Sequence, residues 1–365
     1  MTTTQPIVFN PLDPNFRQNP YPIYERILAE DPVHLTPFGV RAFARHADCL
    51  QILRDTKRFS SDDRKSPFYQ PIGESFRLNS GAPDPAAGVT DEDRPFLFLD
   101  PPDHTRLRRL VNQAFSAKAV EALRPRVQEL VDGLLDKAAA KGSMEAITDL
   151  AYPLPVAVIC GMLGVPEEDQ PVFGGWSVEL AKSLDPSIGE GDEVIARRIK
   201  AVQDSRAYFR QLAAERRKKP GDDMLSALLA AEDEGDKLSE GELLSTCTLL
   251  LIAGHETTVN LIGNGILQLL RHPDELARFR ANPDLAPSVV EEVLRYDPPV
   301  QFDGRICVQE AEVGGVTIEP GAFVMQLIGA ANRDPSVFED PSRFDVTRNT
   351  TNHIAFGYGI HFCLG

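Results

Sequence analysis

The sequence predicts a mainly α protein with a small β region. From residue 101 to about 269, apolar residues recur at helical spacing. Past Val293 the texture changes to short apolar runs broken by Gly-Gly and Pro-Gly. Near the N-terminus a Pro-Phe-Gly turn separates two more strand-like runs. No internal repeat and no clear linker breaks the 365 residues. A single domain over 1–365 is therefore expected, although length alone would allow two.

In chain order, "YPIYERILAEDP" reads as a short helix. "VHLTPFGVRAFARHADCLQILRD" reads as two strands around the turn, then a helix from about His46. Residues 59–94 are polar and rich in Pro, Gly and Asp, punctuated by Phe68, Tyr69 and Phe76. So long a loop in a compact domain suits a wall or lid over a ligand site. "PPDHTRLRRLVNQAF", "PRVQELVDGLLDKAAAKG" and "ARRIKAVQDSRAYFRQLAAERRKKPGDD" are helical. Between the last two, residues 174–191 offer glycine breaks for a mobile helix–loop pair.

The most informative helix follows. Ser239 and Glu242 form a capping box, and His272-Pro273 is a stop signal. About thirty residues lie between them, roughly 45 Å of helix. Leu249 to Ile252 crowd several faces, so the helix should run through the interior. Its middle is "AGHETT", residues 253–258. Ala253 and Gly254 let something flat or bulky approach the backbone. Glu256 and Thr257 in a buried helix need partners, and Thr257 can bond back to a carbonyl one turn earlier and loosen the helix. Two readings stand. Gly254 serves helix packing with Glu256 on a solvated face, or Glu256 relays protons while Thr257 positions a small molecule. Neither group is a nucleophile without an activating base.

Composition bounds the rest. A net charge of −16 should repel nucleic acid and anionic membrane. No apolar stretch reaches the length of a membrane-spanning helix. "MTTTQPIVFNPLDP" lacks the basic and apolar regions of a secretory leader. Five cysteines without C-x-x-C spacing argue against a zinc site or disulfide framework, and a cytoplasmic protein is the expectation. No G-x-G-x-x-G loop provides for a built-in reductase.

Shorter signals remain. Glu292 and Arg295, three apart, share a helix face, as do His104 and Arg108, four apart. The second pair could hold a carboxylate, and Arg305 is a further cation near a strand. The chain closes on "FGYGIHFCLG", residues 356–365. Six specified positions there match by chance on the order of once in 10^8 sites. The glycines allow tight folding. A thiolate in such a loop can receive backbone N–H bonds and suits an iron ligand with an open opposite face.

These motifs together resemble a cytochrome P450, a haem-thiolate monooxygenase of the soluble bacterial kind. "FGYGIHFCLG" resembles the family's haem loop and "AGHETT" its oxygen-activating helix. "EVLR" resembles the E-x-x-R element, "DPSRFD" the stretch carrying its arginine partner, and "DHTRLRR" the helix that holds the haem propionates. The motifs lie in the usual order. The resemblance implies the family's mainly helical fold and haem b with Cys363 as axial iron ligand. His104, Arg108, Arg305 and His361 would meet the propionates. Glu256 and Thr257 would deliver protons and handle dioxygen. Arg343 would join Glu292 and Arg295 in a structural network. The 59–94 and 174–191 regions, with Val300, Gln301, Phe302, Leu250, Ala253 and Gly254, would line the substrate pocket. It further implies insertion of one oxygen atom from O2 into a small apolar organic substrate, with electrons from a ferredoxin or flavoprotein, and no nucleic acid or membrane anchor. Family members continue past the glycine matching Gly365 with a helix and strands, so a fragment is expected. The alternatives are a haem-binding sensor or carrier without oxygen chemistry, or a non-functional truncated product.

Overall fold

The computed structural model describes residues 6–67, 93–115, 117–181, 192–233 and 235–365. Most of the loop expected to wall the site, and the glycine-rich stretch from 182 to 191, lie outside the described residues. The chain divides into two compact units: Met1–Pro67 with Asn264–Cys363, and Phe68–Gly263 with Leu364–Gly365.

The first unit holds the sheet. Helix α1 (Pro14–Gln18) is capped by the Asp13 side chain on Asn15 N, and α2 (Tyr21–Glu30) buries Tyr21, Tyr24 and Ile27 along one face. Strands β1 (Val33–Leu35) and β2 (Arg41–Phe43) pair antiparallel across the expected turn. Helix α3 (His46–Arg54) and strand β3 (Phe59–Ser60) follow.

The second unit is helical. Its helices are α4 (Asp103–Ala114), α5 (Ala117–Glu121), α6 (Arg124–Lys141), α7 (Pro153–Met162), α8 (Gln170–Ala181), α9 (Asp192–Lys218) and α10 (Met224–Ala230). The long α11 (Glu240–Arg271) begins in it. The capping box forms reciprocally: Ser239 N donates to Glu242 Oε2 at 2.8 Å, and Glu242 N to Ser239 Oγ at 3.2 Å. Helix α8 packs between α7 and α9 around Phe173, Phe209 and Leu180. Gly174 does not break α8, as the sequence suggested. A Cβ there would stand 2.6 Å from the Tyr152 hydroxyl, so the glycine makes room for a ring. Gly175 also continues the helix.

The chain then completes the first unit with α12 (Pro273–Ala281), α13 (Ala286–Tyr296), β4 (Asp303–Cys307), β5 (Ala311–Val313), β6 (Val316–Ile318), β7 (Phe323–Gln326) and α14 (Ile328–Ala331). The sheet order is β1-β2-β7-β4-β3. Only the β2–β7 pair is parallel, with Ala42 opposite Met325. Strands β5 and β6 make a separate hairpin. Gly314 and Gly315 turn it with φ of 60° and 81°, the left-handed pair that a two-residue hairpin loop demands.

Candidate active site

In the helical unit, Ala253, Gly254, Glu256 and Thr257 sit in the middle of α11. The helix is α throughout and does not widen. The Thr257 hydroxyl donates to Ala253 O at 2.8 Å, the back-bond expected from sequence. Having donated its proton there, the oxygen keeps its lone pairs for another donor. Glu256 is 42% exposed, within reach of water. Ala253 is exposed, whereas Leu250 is buried in the helical core. Gly254 lies against Ile159 of α7.

On α4, His104 is buried with its ring tilted against Phe96, and Arg108 is half-buried. Burial first, then the Arg108 charge, pushes the His104 pKa down to about 4. At neutral pH His104 is therefore an uncharged donor, and Arg108 supplies the positive charge of that pair. The neighbouring Arg106 is engaged elsewhere, bonding Glu242 of α11 and Asp236.

In the sheet unit, the terminal loop is built on strong supports. Ile354 N donates to Asn332 Oδ1 at 2.8 Å. His353 Nε2 lies 2.8 Å from Glu291 Oε2, and Ala355 N donates back to His353 Nδ1. Cys363 N closes the loop onto Phe356 O at 2.9 Å. Gly357 and Gly359 have φ of 69° and 74°, and a Cβ on Gly359 would lie 2.6 Å from Leu53 O. The loop is thus pressed against the end of α3, where Arg54 covers the Tyr358 ring at 4.3 Å. His361 is half-buried in the single turn that precedes the cysteine.

Of the five cysteines, Cys363 alone is exposed. Burial pushes the thiols of Cys160 and Cys247 up to about 12 and raises those of Cys49 and Cys307 as well. Those four sulfurs are protonated at neutral pH.

The Glu292–Arg295 pair is completely buried and bidentate, with both contacts at 2.7 Å. All five guanidinium N–H groups find acceptors: Glu292 twice, and the carbonyls of Asn332, Pro341 and Arg343. The third member is not Arg343, as the sequence suggested. Its side chain is 55% exposed and reaches only 3.9 Å from Glu275 and Asp345, and its backbone carbonyl alone enters the network. Arg348 takes the place, with Nε 3.4 Å from Glu292 Oε1 and further bonds to the carbonyls of Glu339, Asp340 and Arg343. Local pattern does not reveal this: Phe344 and Val346 are buried, and a turn closed by Arg348 N on Asp345 O at 3.0 Å brings the Arg348 side chain back to Glu292.

Arg305 is buried, with Nη1 2.8 Å from Asp303 Oδ2 and 2.6 Å from Gly304 O. Val300 is 41% exposed. Gln301 and Phe302 differ from the expectation. Gln301 Nε2 donates to Pro298 O at 2.8 Å and to the Tyr21 hydroxyl at 3.3 Å, while Phe302 packs edge-on to Phe9. Half-buried Phe302 packs against the aromatic cluster of Tyr21 and Tyr24, and Gln301, also half-buried, is tied to it through the Tyr21 hydroxyl.

The donor set fits a haem: one exposed sulfur on a loop that glycines make tight, a small-residue helix segment ending in an acid and an alcohol, and a neutral imidazole beside an arginine. Known proteins agree. The family model "Cytochrome P450" matches residues 191–365. Cytochrome P450 107B1 of Saccharopolyspora erythraea is 41% identical, over 100% of this chain and 87% of its own length. The 6-deoxyerythronolide B hydroxylase of the same organism is 46% identical over 84% of this chain and 74% of its length. The structure of P450BioI, in complex with acyl carrier protein ligated to hexadec-9Z-enoic acid, superposes with a TM-score of 0.85 at 38% identity, covering 96% of this chain and 87% of that one. With a cysteine loop and an acid–alcohol helix of this form, and relatives this similar over nearly all its length, the chain belongs to the cytochrome P450 family of haem-thiolate monooxygenases.

Proposed function

We propose that Cys363 ligates the haem iron and that Glu256 and Thr257 govern the fate of dioxygen. The observation that carries this reading is the exposure of Cys363 while every other thiol is buried. Haem bound through a thiolate supplies dioxygen activation, with electron density from sulfur favouring O–O cleavage. Thr257, its proton committed to Ala253 O, offers an oxygen that accepts a hydrogen bond. Glu256, partly exposed, takes protons from water and passes them inward. Arg108, Arg305 and His361 hold propionates, with His104 as a neutral donor beside Arg108. Ala253 on α11 and, in the other unit, Val300 are each exposed apolar groups that an organic substrate would meet, with Gly254 keeping the helix slim beside Ala253. The two compact units act as one catalytic domain. Electrons come from a separate ferredoxin or flavoprotein in the cytoplasm, in keeping with five cysteines that form no disulfide.

Replacing Thr257 tests the reading. With a ferredoxin and its reductase as electron donor, Thr257→Ala should raise the hydrogen peroxide released per dioxygen consumed by about tenfold, with haem content unchanged. An unchanged peroxide yield would remove Thr257 from the role.

A further inference from the structure

His353 has no part in the roles above, yet it holds the chain where the cysteine loop begins. The loop opens with a tight turn, Gly357 N donating to Ile354 O at 2.9 Å, and closes where Cys363 N donates to Phe356 O at 2.9 Å. Side chains hold the first two amides of that turn. Ile354 N donates to Asn332 Oδ1 at 2.8 Å, and Ala355 N to His353 Nδ1 at 3.2 Å. Accepting from the amide two residues on is a local turn device, and Asn or Asp supplies it equally well. Histidine adds a second nitrogen on the other side of the ring. Nε2 lies 2.8 Å from Glu291 Oε2 on α13, and the imidazole side chain is only 7% exposed, so water cannot readily replace either contact. The Phe356 ring leans on the imidazole, 6.0 Å between centroids.

These two contacts fix the tautomer. A backbone N–H donates only to a bare nitrogen, so Nδ1 carries no proton, and the ring donates Nε2–H to the Glu291 carboxylate. From this arrangement we infer that His353 is a positioning residue for the axial sulfur. Through Nδ1 it sets the first turn of the cysteine loop, and through Nε2–H and Glu291 it ties that turn to α13. Ala355 is the neighbour of Phe356, whose carbonyl closes the loop on Cys363 N, so movement of the turn passes to the residue that carries the sulfur. The tie is separate from the one made by the buried pair. Arg295 reaches the loop through Asn332, whose carbonyl accepts Arg295 Nη1 and whose Oδ1 accepts Ile354 N. Glu291 and His353 reach it without either residue.

The inference rests on the assignment of Cys363 to the iron, and the tests separate the two. In the haem-loaded protein, reduced and bound to carbon monoxide, the red-shifted band reports thiolate ligation. Its loss while haem is retained reports a sulfur that has let go. His353→Asn keeps an acceptor for Ala355 N but loses the reach to Glu291, and Glu291→Ala loses the same tie from the other end. Each should speed loss of the band about fivefold. The double variant should be no faster than either single one, because all three lack the same contact. His353→Phe loses both contacts and should speed the loss about tenfold or more. In the same diamagnetic complex, the 15N signals of His353 should show a protonated Nε2 and a bare Nδ1. Equal band lifetimes in the parent and His353→Phe, additive effects in the double variant, or a proton on Nδ1 would overturn the positioning role. So would haem leaving together with the band, which is what a general loss of stability produces. If Cys363→Ala loses the band and His353→Phe keeps it, only the positioning role falls. If Cys363→Ala keeps the band, the assignment beneath falls and takes the positioning role with it. Should His353→Phe fail to fold, His353→Asn, Glu291→Ala and their double variant carry the decision.

Discussion

Arg348 carries the weight that the "DPSRFD" motif suggested for Arg343. Its guanidinium is 11% exposed, lies against the fully buried Glu292 and ties together three carbonyls of the preceding turn. Removing one partner from such a cluster strands charge and acceptors in the interior, so Arg348→Ala should cost about 3 kcal/mol or more. Arg343→Ala removes an exposed side chain with only 3.9 Å contacts and should cost under about 1 kcal/mol. Urea unfolding of the two variants checks the order, and equal losses would contradict it. The Glu292–Arg295 pair was legible from its spacing, and the Thr257 back-bond from its residue type. Arg348 and His255 were not, since what marks them is burial. His255 was in view inside "AGHETT", yet nothing in its type or spacing says that it is fully buried with neither nitrogen bonded to a described residue.

At the scale of elements, local rules worked wherever local chemistry decides. The capping box at Ser239 and Glu242, the start of α3 at His46 and the Gly-Gly hairpin turn all form as their residues dictate. Local rules failed where a tertiary contact decides. Gly174 and Gly175 read as breaks, but both continue α8, and Gly174 is small because Tyr152 arrives from the far end of α7. Gln301 and Phe302 read as pocket walls from their place after Pro298-Pro299. The aromatic cluster that takes them gathers Phe9, Tyr21 and Tyr24 from nearly three hundred residues away in sequence, a pairing no local window reveals. In α11, Thr257 bonds back one turn as its type allows, yet the helix stays regular, with Ile159 of α7 packed against Gly254.

For the whole molecule, two buried histidines set the response to acid. His104 and His255 both have pKa values lowered from 6.5 to about 4, chiefly by burial. Between those values the unfolded chain binds protons that the folded chain refuses. Stability is therefore fullest above pH 6.5 and falls as pH drops toward 4, by roughly 2 kcal/mol per histidine at pH 5. Urea unfolding of the haem-free chain at pH 7 and pH 5 measures the loss, and His255→Phe should remove about half of it. A flat profile would mean that neither ring is as dry as the fold makes it. The claim beneath everything functional is that Cys363 binds iron as a thiolate. The absorption spectrum of the reduced, carbon monoxide-bound protein tests it most directly. The parent should show the red-shifted band of thiolate-ligated haem, and Cys363→Ala should lose it; persistence of that band in the variant would contradict the assignment.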